Sequence, residues 1–281
     1  MLGPMTDRRL AQTRQTTSEY GILGNREFQL DRVPASPDLA TLVERHWLVS
    51  WDLPPGRRRP VTLLPHPCVN LVFDRGLVAI AGPGSERFTY VQEGRGQVFG
   101  VKFRPGAFHP FADGPVSALT DVTRPLATLW GPDADRLAES LAAAPDLPAM
   151  VDAAEQHLRA RWPPPDPLVD KLGEIVHALL HDRTITRVAE VCDRFGVPQR
   201  TLQRLFQRYV GVSPKWVLRR YRLHEAAARL AEGTSGTWAE VAADLGYFDQ
   251  PHFIRDFTRA VGMTPAVYAE ACRRNEAPVS A

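Results

Sequence analysis

Residues 199–207 read Gln-Arg-Thr-Leu-Gln-Arg-Leu-Phe-Gln. Wound as a helix, this segment and its continuation place Leu202, Leu205, Phe206 and Tyr209 on one face, at the i, i+3, i+4, i+7 spacing of a core stripe. Gln199, Arg200, Gln203, Arg204 and Gln207 share the opposite face. A face built only of Arg and Gln suits readout of base edges in a duplex. Arg donates two bonds to guanine O6 and N7, and Gln pairs with adenine N6 and N7. A single helix of this kind is ordinarily a solvated amphipathic surface, so its surroundings must decide.

Other reactive groups form weaker patterns. His66 and Cys68 lie two apart, and His109 can approach from another strand, which makes a candidate imidazole–thiolate metal set. The HxH pattern with a downstream Glu and His that cupin enzymes use is missing, and such residues are more often packed core or turn. The chain contains no GxSxG, HExxH or GKS/T stretch, and Gly94-Arg-Gly96 is a turn. No catalytic residue, metal or cofactor is assigned. Cys68, Cys192 and Cys272 are scattered, neither a disulfide framework nor a zinc knuckle, so a reducing cytoplasm is the expected compartment.

The elements that must position the Arg/Gln face are revealed by an internal repeat. Ala189-Glu190-Val191 recurs as Ala239-Glu240-Val241, and Phe195-Gly196 as Leu245-Gly246, at an offset of 50. One extra residue enters at the turn. Arg204, Phe206, Arg208, Gly211 and Pro214 then recur as Arg255, Phe257, Arg259, Gly262 and Pro265, at an offset of 51. Each copy predicts a helix, a Gly-marked turn, a second helix and a Gly-x-Ser/Thr-Pro stop. This is a helix-turn-helix unit made twice, over about 185–209 and 237–260. In the second copy Asp249 fits the N-cap, Pro251 the first turn, and Gln250, His252, Arg255 and Arg259 the outward face.

Charge separates the copies. Residues 183–229 hold eleven Lys/Arg against three acids, an electrostatic footprint for phosphate inside a chain whose net charge is only +2. Arg187, Arg208, Lys215, Arg219, Arg222 and Arg259 are the candidate phosphate contacts. Residues 231–270 hold two Arg against six acids. The first copy is therefore expected to supply most of the affinity.

The 281 residues suit one large domain or two ordinary ones, and the 44% hydrophobic and 23% charged content excludes a disordered or fibrous chain. Residues 26–112 carry short β-branched and aromatic runs between Pro- and Gly-marked turns, which predicts antiparallel strands. Ala/Leu-rich stretches at 133–144 and 149–161 predict two helices. Trp162-Pro-Pro-Pro-Asp-Pro167 ends them as a stiff connector, the strongest domain boundary in the chain. After it Leu168, Leu172, Ile175, Leu179 and Leu180 form a helical stripe. The expected organisation is a loose leader over 1–25, a β-rich domain with terminal helices over 26–161, a linker over 162–167, a helical domain over 168–272, and a tail over 273–281. No run approaches the ~18 apolar residues of a membrane span.

At Arg200–Phe206 with Gly211-Val-Ser-Pro214, Arg222-Leu-His-Glu-Ala226, Gly246-Tyr-x-Asp249 and Gly262-Met-Thr-Pro265, the chain resembles the AraC/XylS family of bacterial transcription regulators. The likeness covers about residues 168–272. It implies a seven-helix domain in which a linker helix over about 213–232 holds two reading helices toward successive major-groove segments of double-stranded DNA. The base-contacting positions it implies are Arg200, Gln203 and Arg204, then Gln250, Pro251, His252 and Arg255. Pro198 stands where the family usually has a capping Ser, Val217 where an aromatic is usual, and Ala269 where Arg is common. The β half resembles, less specifically, the sensor or dimerisation domains of such regulators, and a cupin-like barrel or jelly roll is implied. Its partners would be a small-molecule effector, a second copy of the chain and, for an activator, RNA polymerase. Trp47, Trp51, Phe73, Phe99 and Phe103 are the candidate effector pocket, although small barrels are usually filled by such side chains. Two other readings stand beside a ligand-responsive regulator: a cupin-type metal enzyme with a DNA-binding appendage, and an interaction module with weak DNA binding.

Overall fold

The β-branched and aromatic runs fold into two antiparallel sheets in a computed structural model that describes residues 22–23, 28–233 and 237–274. The strands are β1 (Ile22–Leu23), β2 (Gln29–Pro34), β3 (Val43–Asp52), β4 (Arg58–Leu63), β5 (Asn70–Asp74), β6 (Leu77–Ala81), β7 (Phe88–Glu93), β8 (Arg95–Phe103) and β9 (Thr123–Pro125). Six pair in the order β2-β3-β8-β5-β6-β9, and three in the order β1-β4-β7. The expected barrel does not close. The long sheet ends on β2 and the three-residue β9, and helices cover part of one face, so that face is buried without closure. The leader expected over 1–25 lies outside the described residues except at Ile22 and Leu23, which pair with Leu63 and Thr62 of β4.

Side-chain alternation along β3 and β8 assigns two cores. Phe99, Val101 and Phe103 alternate onto one face with His46, while Val98 shares the other with Trp47 and Trp51. Trp47 lies over Gly100 and Trp51 over Gly96, where any Cβ would collide with the indole. Glycine is thus required by close approach rather than by a turn.

Helices α1 (Ala127–Trp130), α2 (Asp133–Ala143) and α3 (Leu147–Ala160) follow the sheets. The buried Glu155 of α3 accepts from Ser36 N–H (2.8 Å) and Ser36 Oγ (2.5 Å) and lies 3.1 Å from His46 Nε2. This ties the helical hairpin to β3. The proline run then crosses to the helices α4 (Pro167–His181), α5 (Val188–Phe195), α6 (Gln199–Leu205), α7 (Pro214–Ala231), α8 (Trp238–Asp244), α9 (Gln250–Val261) and α10 (Pro265–Arg274). The tail expected from 273 begins inside α10. On α4 the buried stripe is Val169, Leu172, Ile175, Val176 and Leu179, whereas Leu168 and Leu180 are exposed, a correction of the expected stripe.

The proline run does not separate two independent cores. One apolar cluster runs from Leu39 and the β8 aromatics through α2, α3 and α4 to Phe206, Tyr209 and Tyr221. Trp162, inside the run, packs edge-on against Phe111, and Asp166 both caps α4 and accepts from Tyr209 Oη at 2.9 Å. A second cluster gathers α8, α9 and α10 around Leu223, Ala226 and Leu230 of α7, and Leu64 from the β half is buried in it. None of the helices among the described residues is long and apolar enough to cross a membrane.

Candidate nucleic-acid interface

Each repeat begins with the same capping device. Glu190 accepts the backbone N–H of Thr186 (2.6 Å) and Arg187 (3.0 Å), which holds its carboxyl below the usual carboxylate range. Glu240 accepts from Thr237 N–H (2.7 Å), while Thr237 Oγ1 accepts from Glu240 N–H (3.3 Å), a reciprocal box. The Glu of the repeated Ala-Glu-Val is thus a helix start. Gly196 ends α5 in the left-handed region at φ 60°, which Gly adopts without steric penalty.

The second helix of each copy starts and finishes differently. Pro198 gives α6 no side-chain cap, whereas the Asp249 carboxylate accepts His252 N–H at 2.7 Å. At its far end α6 widens into a π turn over Phe206–Val210, where Gly211 N–H bonds Phe206 O, five residues back, at 2.8 Å. α9 keeps regular winding to Gly262, whose N–H bonds Thr258 O at 2.8 Å, four back.

Gln199, Arg200, Gln203, Arg204 and Gln207 are all exposed, as are Pro251, His252 and Arg255, and Gln250 is half-buried. Leu202, Phe206 and Tyr209 are buried, and Leu205 is half-buried. His252 rests edge-on against the buried ring of Tyr247, 5.3 Å between centroids.

The candidate phosphate set divides. Arg187, Lys215 and Arg259 are exposed. Arg208 is exposed too, but its Nε donates to His109 Nε2 of the β half at 3.2 Å. Arg219 is ion-paired with Asp256 of α9 at 2.6 Å. Arg222 is spent inside the fold, donating to Thr186 O before α5 and to Gly246 O after α8 (3.2 Å). It joins the two copies through two backbone carbonyls. Counting charge along a helix finds basic residues but not the partners that each has inside the protein, and these three have such partners.

Both second helices abut the β half at their C-terminal ends. Thr120 Oγ1 donates to Gly211 O at 2.8 Å, and a Cβ at Gly211 would lie 3.0 Å from Pro83. A Cβ at Gly262 would lie 2.6 Å from Arg87 Nη1. Arg220 of α7 donates to Ser85 O at 2.6 Å and stacks over Trp216, with burial pulling its guanidinium down to about 10. Beside it His66 stacks on His224, 4.2 Å between ring centroids. Burial first, then the nearby His224, Lys102, Arg45 and Arg220, push His66 well below the ordinary imidazole value. His66 and His109 therefore serve separate interdomain contacts: His109 packs against Tyr209. Docking at the C-terminal ends leaves the N-terminal tips of α6 and α9 uncovered.

Residues 191–271 match the family described as "Helix-turn-helix domain", and residues 31–125 match "Domain of unknown function (DUF6597)". The C-terminal match thus extends from α5 to α10 and takes in both repeats of the helical half. Over 83 residues the chain is 34% identical to the HTH-type transcriptional activator RhaR of Yersinia pseudotuberculosis, 30% of this chain and 28% of that one. Over 75 residues it is 35% identical to the HTH-type transcriptional activator RhaS of Pectobacterium carotovorum, 27% of this chain and 26% of that one. The chain thus spans little more than a quarter of the length of these relatives. Among solved structures, fatty-acid-bound ToxT of Vibrio cholerae aligns over 92% of this chain and 97% of its own, at 10% identity and a TM-score of 0.39. Among the described residues of the helical half, Phe248 is an exposed aromatic that the outward-face reading leaves out, at the extra residue of the second turn. The shift of the repeat offset from 50 to 51 was the available signal.

The five aromatics expected to line an effector pocket do not share one. Phe73, Phe99 and Phe103 are buried in the large core on one face of the long sheet, while Trp47 and Trp51 lie on the other. Strand alternation separates them: Phe73 pairs with Phe99, whereas Trp47 and Trp51 pair with Gly100 and Gly96. An open groove of about 900 Å³ lies at one end of the long sheet, bordered by Asp31, Leu48, Ser50 and Gln97 from the face of Phe99, with Phe28 and Trp51 at its edge.

Proposed function

We propose that this chain is a sequence-specific transcription regulator that reads double-stranded DNA through the tips of α6 and α9. One observation carries the reading: both helices abut one domain at their C-terminal ends, so the Arg- and Gln-bearing N-terminal ends are free together. Helix N-termini also favour phosphate through their unpaired N–H groups. Arg200, Gln203 and Arg204 would address bases in one major-groove segment, and Gln250, His252 and Arg255 in the next, roughly one helical turn (~34 Å) along. Arg187, Lys215 and Arg259 would meet phosphates. No catalytic step is part of this proposal.

Selection of bound sequences from a random DNA pool tests it. The expected outcome is a two-part consensus whose affinity falls steeply with salt, because counterions are released at each phosphate contact. A pool that yields no consensus, with binding flat in salt, would overturn it. Homodimerisation and contact with RNA polymerase belong to the same proposal, tested by sedimentation and by transcription from the selected site.

The groove beside Trp51 favours a second part of the reading, a small-molecule input on the β half. Apolar Phe28 and Trp51 stand there beside Asp31, Asp52 and Arg95, a mixed lining suited to a small polar-apolar ligand. Quenching of Trp51 fluorescence by a candidate metabolite, lost in Trp51→Phe, is the expected signature. Signals identical in the two proteins would remove this groove as the site.

A further inference from the structure

We propose that Phe248 is an apolar base-reading residue, which contacts the 5-methyl group of a thymine in the groove segment faced by α9. This inference rests on the DNA-binding reading above. Three observations lead to it.

The first is the repeat. Gly196 and Val197 correspond to Gly246 and Tyr247 at an offset of 50, and Pro198 and Gln199 to Asp249 and Gln250 at an offset of 51. Val197 and Tyr247 are both buried, and Pro198 and Asp249 are both N-caps. Phe248 is the residue left over, present only in the second turn.

The second is its setting. Phe248 is 93% exposed, the most exposed large hydrophobic among the described residues. Its neighbours are fixed. Tyr247 N–H bonds Ala242 O at 2.9 Å, and its ring packs 5.3 Å from Phe253. Asp249 is held by its capping bond to His252 N–H. An aromatic ring carried between a buried anchor and an N-cap has a defined position at the same end of α9 as Gln250 and His252. An isolated exposed Leu needs no explanation, but a fully exposed Phe on a pinned turn loses free energy in water that contact would recover.

The third is charge. Residues 231–270 carry an acidic excess, so the second copy is poorly equipped for phosphate-led affinity. Contact between an apolar side chain and the thymine methyl gives base discrimination without cationic charge.

The test uses the full chain and a duplex of the selected sequence, in which each thymine in turn is replaced by deoxyuridine to delete only the methyl. Wild type is expected to lose affinity about fourfold at one thymine in the half addressed by α9, the value of one buried methyl. Phe248→Ala should bind the thymine duplex about tenfold more weakly and be indifferent to deoxyuridine at that position, with an unchanged salt slope. Phe248→Leu should keep part of the methyl preference. Arg204→Ala should weaken binding yet retain the deoxyuridine penalty, which separates this contact from the general one. If Phe248→Ala matches wild type in affinity and in the penalty while Arg204→Ala is weakened, this inference falls and the DNA reading stands. Loss of self-association by Phe248→Ala with unchanged DNA binding would likewise overturn it, by giving the ring to a second copy. If Arg204→Ala also binds as wild type does, both fall.

Discussion

The two helix-turn-helix copies share a core frame and two outward positions, Gln199 with Gln250 and Arg204 with Arg255, but differ over the rest of the exposed surface around them. Phe206 and Phe257 occupy equivalent positions and are both fully buried, and both copies use their Ala-Glu-Val glutamate as a cap. The first copy has a basic tip, an uncapped second helix and a π turn at its end. The second has an acidic background, an aspartate cap, regular winding and one additional aromatic in its turn. Their cores also differ in company. The first merges with the core of the β half, while the second is its own cluster with Leu64 inserted. Packing demands constrain the buried positions of a duplicated unit, whereas its exposed positions are free to take different chemistry.

Equivalence of the cores is tested by the largest expected effects. Phe206→Ala and Phe257→Ala should each lower stability by ~3–5 kcal/mol, since each leaves a cavity among buried neighbours. Urea denaturation checks this, and a loss under 1 kcal/mol at either site would end the claim of matched cores.

Inequality of the tips comes next. Arg204→Ala should weaken binding to the selected site by ~1–3 kcal/mol and relax one base position, and Arg208→Ala should leave the salt slope unaltered because His109 engages that guanidinium. A reduced salt slope in Arg208→Ala would return it to the phosphate set.

The caps supply a smaller contrast. Asp249→Ala should cost ~1 kcal/mol of stability, while Pro198→Ser should add up to that amount by supplying α6 with the missing side-chain acceptor. Equal responses at the two positions, read from melting curves, would contradict the described helix starts.

The last contrast concerns how the copies are held to the β half. His66 titrates well below the ordinary imidazole value in the folded protein, so below about pH 6.5 the unfolded chain takes up a proton that the folded chain refuses. Stability from this group is therefore present above that pH and declines as pH falls. His66→Gln should flatten the decline between pH 7 and 5.5 in thermal melts. An unchanged slope would show that the His66–His224 stack does not carry it.

Much of the helical half was legible in the sequence. The repeat located both units, the i, i+3, i+4 stripe identified Leu202, Phe206 and Tyr209 as core, and Asp249 was recognisable as a cap. These features are local: a capping bond spans three residues and a helical stripe two turns, so adjacent sequence contains the whole interaction. The β half was legible as strands but not as a pocket. Pairing partners such as Phe73 and Phe99 are 26 positions apart, and face is set by pairing register.

The sequence alone determined that two similar helical units exist, which of their side chains are apolar, and where strands give way to helices. Only tertiary structure decided that the proline run joins rather than separates cores, that Arg208, Arg219 and Arg222 are engaged within the protein, and that both second helices abut the β half at their C-terminal ends. The reason is range. Propensity, periodicity and capping act between neighbours in the chain, whereas the use of a guanidinium or an open helix end is set by whatever distant segment packs beside it.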